Sequence, residues 1–232
     1  MLTTNKIYNM DFRGGLECIE EDYIIVTDPP YNINFGYDEY KDNLSDEEYI
    51  RLISNFKDKR LAIIHYPEET MKYYVPALGV PDEVGIWVYN SHLPNRHSRL
   101  INYYNIKPDY NKVLQPYKNP DDKRIRERIK NGKLGARSYD WFSDIQLVKN
   151  VSKKDFNHPC PVPVKLMERI ILLISNKGDL IVDPFMGSGT TAIACMRTGR
   201  RYIGFELSKE YCQMAHKRIE QHKKEQKICL KK

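Results

Sequence analysis

Strand patterns and helix patterns alternate along most of the chain. Short apolar and β-branched runs, typical of buried strands, stand at 23–27, 61–66, 84–90, 179–183 and 201–207. Helical patterns follow these runs or lie between them, at 45–57, 67–79, 164–175, 190–198 and 208–227. Because strands that alternate with helices usually pair in parallel, the pattern predicts a parallel α/β sheet.

A segment at 91–140 interrupts this alternation. Asn, Pro, Tyr and Arg are frequent there, and the one periodic stretch is a short basic helix pattern at 121–131. Regular alternation resumes at 141–148. The length of 232 residues suits one domain, or one domain with an insertion, and is short for two full domains. We therefore predict a single domain over 1–232 with an insertion at 91–140.

Composition excludes several classes of protein. Apolar residues make up 41% and charged residues 29% of the chain, as in soluble globular domains. The longest apolar stretch, Ile170 to Ile174, is far shorter than the about 18 residues of a spanning helix. The five cysteines are widely spaced and odd in number, which argues against a disulfide scaffold or a cysteine-rich zinc site. We expect a cytoplasmic protein with no membrane partner.

The charge is distributed unevenly. Residues 1–90 carry 8 basic and 17 acidic side chains, a net charge of −9, whereas 91–140 carry a net charge of +7. A basic segment of this kind suggests a polyanionic partner, although each single arginine could equally be a solvated side chain. We interpret the basic run near the C-terminus as a solvated helix face; it consists of Lys217, Arg218, Lys223, Lys224, Lys227, Lys231 and Lys232. The candidate contacts in the basic segment are Arg96, His97, Arg99, Arg124, Arg126, Arg128, Lys130 and Arg137.

A glycine loop follows the strand pattern at 179–183. Gly187 and Gly189 would let a ligand approach the backbone, and the helix at 190–198 would point its first N–H groups at that ligand. The loop lacks the Gly-Lys-Ser/Thr of a P-loop, and taken alone it also fits a dinucleotide fold or a plain tight turn. Glu206 ends the next strand, where an acid can accept both ribose hydroxyls of an adenosine-bearing cofactor.

A second motif, Asp28-Pro29-Pro30-Tyr31, comes directly after the strand at 23–27. The Asp28 carboxylate and the Pro29 carbonyl are both acceptors, and the stiff Pro-Pro turn would hold them side by side. Such a pair can accept both hydrogens of one exocyclic amino group, while Tyr31 offers a flat face for a base. The motif therefore indicates a site for an amino group on a planar heterocycle.

The two motifs together, DPPY first and DPFMGSGTT later, resemble the β group of S-adenosyl-L-methionine-dependent DNA amino-methyltransferases. The resemblance covers about 7–90 and 140–220. It implies a Rossmann-like methyltransferase fold, a doubly wound and mostly parallel sheet with one antiparallel strand near an edge. It also places the insertion at 91–140 where the family has its target-recognition region, and so implies that the basic residues there contact DNA.

The resemblance further implies a set of site residues. Asp28, Pro29, Pro30 and Tyr31 would be catalytic. Two departures from the family pattern stand out, since Asn9-Met10 precedes Asp11 in place of a glycine and Val162 stands where many members have Lys or Gln. The residues implied to bind S-adenosyl-L-methionine are Asp11, His158, Pro159, Asp183, Phe185, Gly187, Ser188, Gly189, Thr190 and Glu206.

The implied reaction is methyl transfer to adenine N6 of a flipped-out or single-stranded base, without a metal ion. Adenine is favoured over cytosine N4 because the first motif position is Asp28, whereas cytosine enzymes more often have Ser there. Methylation of RNA and binding of DNA without catalysis are two less favoured functions. The resemblance also implies restriction–modification, with a cognate endonuclease and a homodimer as candidate partners.

Overall fold

The computed structural model describes residues 2–34, 42–91, 96–147 and 162–229. The strands in this part of the chain are β1 (Lys6–Tyr8), β2 (Tyr23–Thr27), β3 (Leu61–His65), β4 (Glu83–Val88), β5 (Ser98–Tyr104), β6 (Leu114–Gln115), β7 (Ala136–Arg137), β8 (Trp141–Phe142), β9 (Leu180–Asp183) and β10 (Arg201–Phe205). The helices are α1 (Phe12–Leu16), α2 (Asp46–Ile53), α3 (Pro67–Glu69), α4 (Val75–Leu78), α5 (Lys123–Lys130), α6 (Val164–Ile174), α7 (Thr190–Thr198) and α8 (Lys209–Cys229).

Eight strands form the central sheet in the order β1-β10-β9-β2-β3-β5-β4-β8. The pairs from β1 to β3 are parallel, and β5 runs antiparallel to both β3 and β4. The predicted doubly wound, mostly parallel sheet with one antiparallel strand near an edge is thereby confirmed. The motif strands β2 and β9 are direct neighbours, which brings the two motifs to the same edge of the sheet.

Helices cover both faces of the sheet. Ile24 and Val26 of β2 belong to the core under α6, α7 and α8, whereas Ile25 belongs to the core under α1 and α2. Alternate side chains of a strand point to opposite faces, so a strand covered on both sides is apolar throughout. This double burial explains why these strands appear in the sequence as continuous apolar runs.

Some element bounds differ from those predicted. The capping box is present, with Glu48 N donating to Ser45 Oγ at 3.2 Å and Ser45 N to Glu48 Oε2 at 2.9 Å. The helix it starts ends at Ile53, however, and a 3₁₀ turn continues over Ser54–Phe56. No pattern in the sequence indicates β1, and Val148 at the end of the alternation at 141–148 lies outside the described residues.

The predicted insertion at 91–140 begins with part of the sheet. β5 lies within that range and pairs with β3 and β4, and the residues that follow it at 105–140 lie outside the central sheet. They contain the short ladder of β6 and β7 and the basic helix α5, which has no buried residue. In the described part of the chain, no helix is long and apolar enough to cross a membrane.

Candidate active site

A cavity of about 400 Å³ opens at the carboxyl ends of β2, β9 and β10. Open α/β sheets bind their ligands at this edge, and the volume is in the usual range for small-molecule sites. Both predicted motifs contribute to the one cavity wall. The predicted residues that line it are Asp11, Asp28, Pro29, Pro30, Tyr31, Arg96, Arg99, Asp183, Phe185, Gly187, Ser188, Thr190 and Glu206.

Asp28 is mostly enclosed, with 18% of its side chain exposed. The Tyr31 hydroxyl donates a short hydrogen bond to Asp28 Oδ1, and Arg99 Nη1 lies 3.8 Å from Asp28 Oδ2. Burial raises the pKa of the Asp28 carboxyl, while the Arg99 charge and the Tyr31 hydrogen bond act in the opposite direction. The motif aspartate thus faces the cavity as a polar group with two partners of different kinds.

Neighbouring side chains fix the turn after β2. The Tyr49 hydroxyl donates to the Pro30 carbonyl at 2.6 Å. Asn32, in the left-handed region at φ 55°, donates its N–H to Asp42 Oδ1 at 2.7 Å. Ile33 N donates to Asp42 Oδ2 at 3.1 Å. The backbone that carries Asp28 is therefore held from both sides, by residues whose part in the site has no signature in the sequence.

Tyr31 packs inside the protein. Its ring stacks on His65 with centroids 4.3 Å apart and meets the edge of Tyr66 at 5.0 Å, and 8% of the residue is exposed. Burial lowers the pKa of His65 to about 3, so the imidazole is neutral, and its Nδ1 accepts the Tyr66 N–H at 2.8 Å. In this position Tyr31 offers a base little ring surface, and its stacking role stays a prediction.

The three residues of the first basic cluster occupy different environments. Arg99, a predicted DNA contact, is buried in the cavity wall with 4% exposure. Arg96 lies over the Tyr66 ring at 4.4 Å and pairs with Glu69 at 3.4 Å. His97 is exposed. The burial of Arg99 follows from its place on β5, which no sequence pattern indicates.

Glu206 and Arg218 hold the glycine loop. Glu206 accepts the backbone N–H groups of Gly187 and Ser208, each at 2.8 Å. Arg218 of α8 donates from Nη1 to Ser188 O at 3.0 Å, Ser188 Oγ at 2.9 Å and Thr190 Oγ1 at 3.1 Å. The expected solvated helix face therefore does not include Arg218, because its side chain reaches back to the loop, a contact that the local sequence does not show.

Gly189 has a packing role in the structure. Its φ is +81°, and a Cβ at this position would lie 3.0 Å from Cβ of Ala215 in α8. Glycine is therefore required by the left-handed backbone and by the close approach of α8. Gly187, in contrast, lines the cavity.

Asp183 connects the two motifs. Its carboxylate accepts hydrogen bonds from Thr27 Oγ1 at 2.7 Å, Thr191 Oγ1 at 2.5 Å and Phe185 N at 3.0 Å. Burial raises the pKa of the Asp183 carboxyl to about 6, and the three hydrogen bonds partly offset this effect. The residue thus ties the end of β2 to the start of α7.

Asp11 and Phe185 also line the cavity. Asp11 caps α1 and forms an ion pair with Arg13 at 2.6 Å, and the hydrogen bond from Arg13 lowers the pKa of the Asp11 carboxyl. Phe185 packs on Phe12 with ring centroids 5.1 Å apart. His158 and Pro159 lie outside the described residues.

The second basic cluster does not line the cavity. Arg124, Arg126, Arg128 and Lys130 lie on α5, and Arg137 on β7, all with exposed side chains. Across the described ranges, no group of three or more His, Cys, Asp or Glu residues is arranged to hold a metal ion.

Solved structures with the same architecture define the class of the fold. PvuII DNA methyltransferase, described as cytosine-N4-specific, superposes with a TM-score of 0.65 and 21% identity over 93% of this chain and 86% of that one. The complex of M1.HpyAVI with S-adenosylmethionine gives a TM-score of 0.58 and 22% identity over 92% of this chain and 98% of that one. The protein has the α/β methyltransferase fold.

Sequence comparisons identify the family. The model of the N6_N4_Mtase family, described as DNA methylase, matches residues 23–217. The type II methyltransferase M.HpaI of Haemophilus parainfluenzae is 30% identical over 89% of this chain and 71% of its own length. M.BglII of Bacillus subtilis is 27% identical over 91% of this chain and 68% of its own length. This chain belongs to the N6_N4_Mtase family of DNA methyltransferases.

Proposed function

We propose that the protein methylates adenine N6 in DNA at a specific sequence, with S-adenosyl-L-methionine as methyl donor. The observation that carries the proposal is the position of Asp28, which faces the same cavity as the glycine loop and Glu206. Cytosine N4 is the second candidate, because the superposed PvuII enzyme is described as cytosine-N4-specific. Both targets present an exocyclic amino group on a flat ring.

The catalytic task of the turn after β2 is to bind that amino group. The amine lone pair is delocalised into the ring, which makes the nitrogen a poor nucleophile. Asp28 and the Pro29 carbonyl can accept its two N–H bonds and favour a tetrahedral nitrogen with a localised lone pair. Tyr49 and Asp42 fix this turn, so the acceptors are already oriented when the base arrives.

The cavity also fits the cofactor. S-adenosyl-L-methionine supplies an electrophilic methyl group when bound. Glu206 would accept hydrogen bonds from its ribose hydroxyls, and the exposed backbone at Gly187 would border its methionine end. The aromatic wall at Phe185 suits the apolar surface of the adenine ring.

DNA access requires the target base to leave the duplex or to be single-stranded, because the site lies inside a cavity. The exposed arginines of α5 and Arg137 are the candidates for phosphate contacts, and one or two residues of the 91–140 region would read bases. A homodimer and a cognate restriction endonuclease remain predictions.

Nucleoside analysis tests the target atom. Purified protein is incubated with duplex or single-stranded DNA and methyl-labelled cofactor, and the DNA is digested and analysed by mass spectrometry. We expect labelled N6-methyldeoxyadenosine. Labelled N4-methyldeoxycytidine would replace the adenine proposal with the second candidate. If a protein that binds both the cofactor and the DNA yields no labelled nucleoside, binding of DNA without catalysis replaces both candidates.

Asp28→Ala tests the role of the turn. Methyl transfer should be abolished while cofactor affinity stays within about a few-fold, since Asp28 faces the amine rather than the glycine loop. Asp22→Ala, at the opposite end of β2, is the matched control and should retain activity. Near-normal turnover by the Asp28 variant would contradict the amine-acceptor argument.

A further inference from the structure

Arg99 of β5 places a guanidinium group inside the active-site wall. Arginine is rarely buried without partners, and here aromatic rings provide them. Cation–π contacts stabilise a desolvated cation, and four rings surround this one. The Arg99 Cζ lies 5.1 Å from the ring centre of Tyr31, 5.2 Å from Tyr66, 5.3 Å from Trp87 and 5.7 Å from Tyr89.

One polar group that this cation faces is the carboxyl of Asp28. Arg99 Nη1 lies 3.8 Å from Oδ2, while the Tyr31 hydroxyl donates to Oδ1. The two oxygens of Asp28 therefore have different partners, one a nearby positive charge and the other a hydrogen-bond donor. This arrangement fixes the plane of the carboxyl group and supplies a positive charge next to it.

The remaining surroundings of Asp28 oppose its ionisation. Burial raises the pKa of the Asp28 carboxyl, and the charge of Asp28 in turn raises the pKa of Asp183 at the end of β9. His65 of β3 is neutral because burial lowers its pKa to about 3. Among the described residues, the titratable groups that interact electrostatically with Asp28 are Arg99 of β5, Tyr31 of the same turn, Asp183 of β9 and Tyr74 of the helical turn between α3 and α4.

We propose that Arg99 is a positioning residue for methyl transfer, whose enclosed guanidinium keeps Asp28 ionised and oriented as an acceptor. A protonated Asp28 would present an O–H group where the target amine needs an acceptor, so the charge of Arg99 matters to turnover. The inference rests on the proposed function, because it is amine methylation that requires this acceptor.

The first test measures the titration of Asp28 directly. Carbon-13 NMR of the free protein follows the Asp28 carboxyl, assigned with Asp28→Asn, in wild type, Arg99→Met, Arg99→Gln and Arg99→Lys. In the two neutral variants we expect the midpoint to rise by about one pH unit or more, since an opposite charge at this distance usually shifts a pKa by that amount. Arg99→Lys, which keeps the charge, should shift it less.

Another arginine at the opposite end of β3 serves as a control. Arg60 precedes β3 and pairs with Asp22 at 2.6 Å, so Arg60→Met removes a similar ion pair away from the cavity. It should leave the Asp28 midpoint unchanged. An Asp28 midpoint that also stays unchanged in the neutral Arg99 variants would overturn the proposal.

The second test is the pH dependence of methylation. Because a carboxyl with a raised pKa ionises at higher pH, the acid limb of kcat should move to higher pH in the neutral variants and their activity should recover above it. A purely structural role of Arg99 would instead lower kcat at every pH without moving the limb, and that result would overturn the proposal.

The titration separates this inference from the proposed function. It needs neither DNA nor cofactor, so it decides the role of Arg99 toward Asp28 even if the wild-type protein methylates no DNA. If circular dichroism shows that neither neutral variant folds, the titration of Asp28 in the wild type and in Arg99→Lys tests the proposal instead. An Asp28 that is ionised at pH 7 in both would support the proposal, and a protonated Asp28 in the wild type would overturn it.

Discussion

Glu206 carries out one task in the structure and a second in the proposed function. Its carboxylate accepts hydrogen bonds from the N–H groups of Gly187 and Ser208, which ties the glycine loop to the residues that follow β10. We expect the same carboxylate to accept hydrogen bonds from the ribose hydroxyls of the cofactor. Two roles on one side chain make Glu206 a sensitive position for cofactor affinity.

Glu206→Ala should therefore weaken S-adenosyl-L-methionine binding by roughly 1–3 kcal/mol, the scale of lost charge-assisted hydrogen bonds. Isothermal calorimetry measures this change directly. Glu210→Ala, an exposed acid in the first turn of α8, serves as control and should bind normally. Unchanged affinity in a folded Glu206→Ala protein would remove this residue from the cofactor site.

At the scale of single residues, the acidic residues of the site are predictable from the sequence, whereas the arginines that support it are not. Asp28, Asp183 and Glu206 each end or follow a strand pattern, and parallel strands bring their carboxyl ends to one edge. Arg99 was expected to contact DNA and Arg218 to lie on a solvated helix face, because arginine is usually exposed. Their burial depends on residues distant in sequence, so no local pattern contains it.

Among the elements, α8 contributes to the site through Tyr211, Ala215 and Arg218, which lie on successive turns. Arg218 extends from its third turn to Ser188 and Thr190 on the glycine loop. Burial lowers the pKa of the Arg218 guanidinium, and the hydrogen bonds to the loop compensate the desolvated charge. The long C-terminal helix thus supports the cofactor loop from behind.

Arg218→Met should lower cofactor affinity several-fold while retaining the helix, because the loop loses three hydrogen bonds from one donor group. The affinity can be followed by calorimetry and the fold by circular dichroism. Lys217→Met changes the neighbouring exposed residue and should have no effect on either. If both variants bind the cofactor equally well, the support of the loop by α8 is unimportant for binding.

The predictability of each element depends on its burial. β2, β3, β9 and β10 lie between two helical layers, and continuous apolar runs reveal them in the sequence. β5 has no such run because polar side chains, including Arg99 and Asn102, are buried in it. The amide nitrogen of Asn102 donates to Ile63 O and Thr70 Oγ1, which are contacts that a sequence pattern cannot show.

Over the whole molecule, charge is separated along the chain. The first ninety residues have a net charge of −9, and the 91–140 region has a net charge of +7. α5 concentrates exposed positive charge in a part of the chain outside the sheet. DNA phosphates should be attracted to this region and repelled by the acidic part.

Reversing the charges of Arg124, Arg126 and Arg128 together should lower DNA affinity by at least about tenfold and flatten its salt dependence, because fewer counterions are released on binding. Cofactor affinity should not change. Fluorescence anisotropy at several salt concentrations measures both the affinity and the salt slope.

The matched control reverses the charges of Lys217, Lys223 and Lys224 on α8. It should have the smaller effect if DNA binds at α5. The opposite ranking would place the DNA on the C-terminal helix, and normal binding by the α5 variant at physiological salt would exclude α5 as a contact surface.

The hydrogen bonds of Asp183 have a consequence for the energetics of the two substrates. Thr27 directly precedes Asp28, and Thr191 belongs to the first turn of the cofactor-loop helix, so one buried carboxylate joins both half-sites. If cofactor binding changes the affinity for the target base through this carboxylate, binding of the base must change the affinity for the cofactor by the same factor, because coupling between two binding sites is reciprocal. We expect the methyl donor and the methyl acceptor to be linked in this way through the protein.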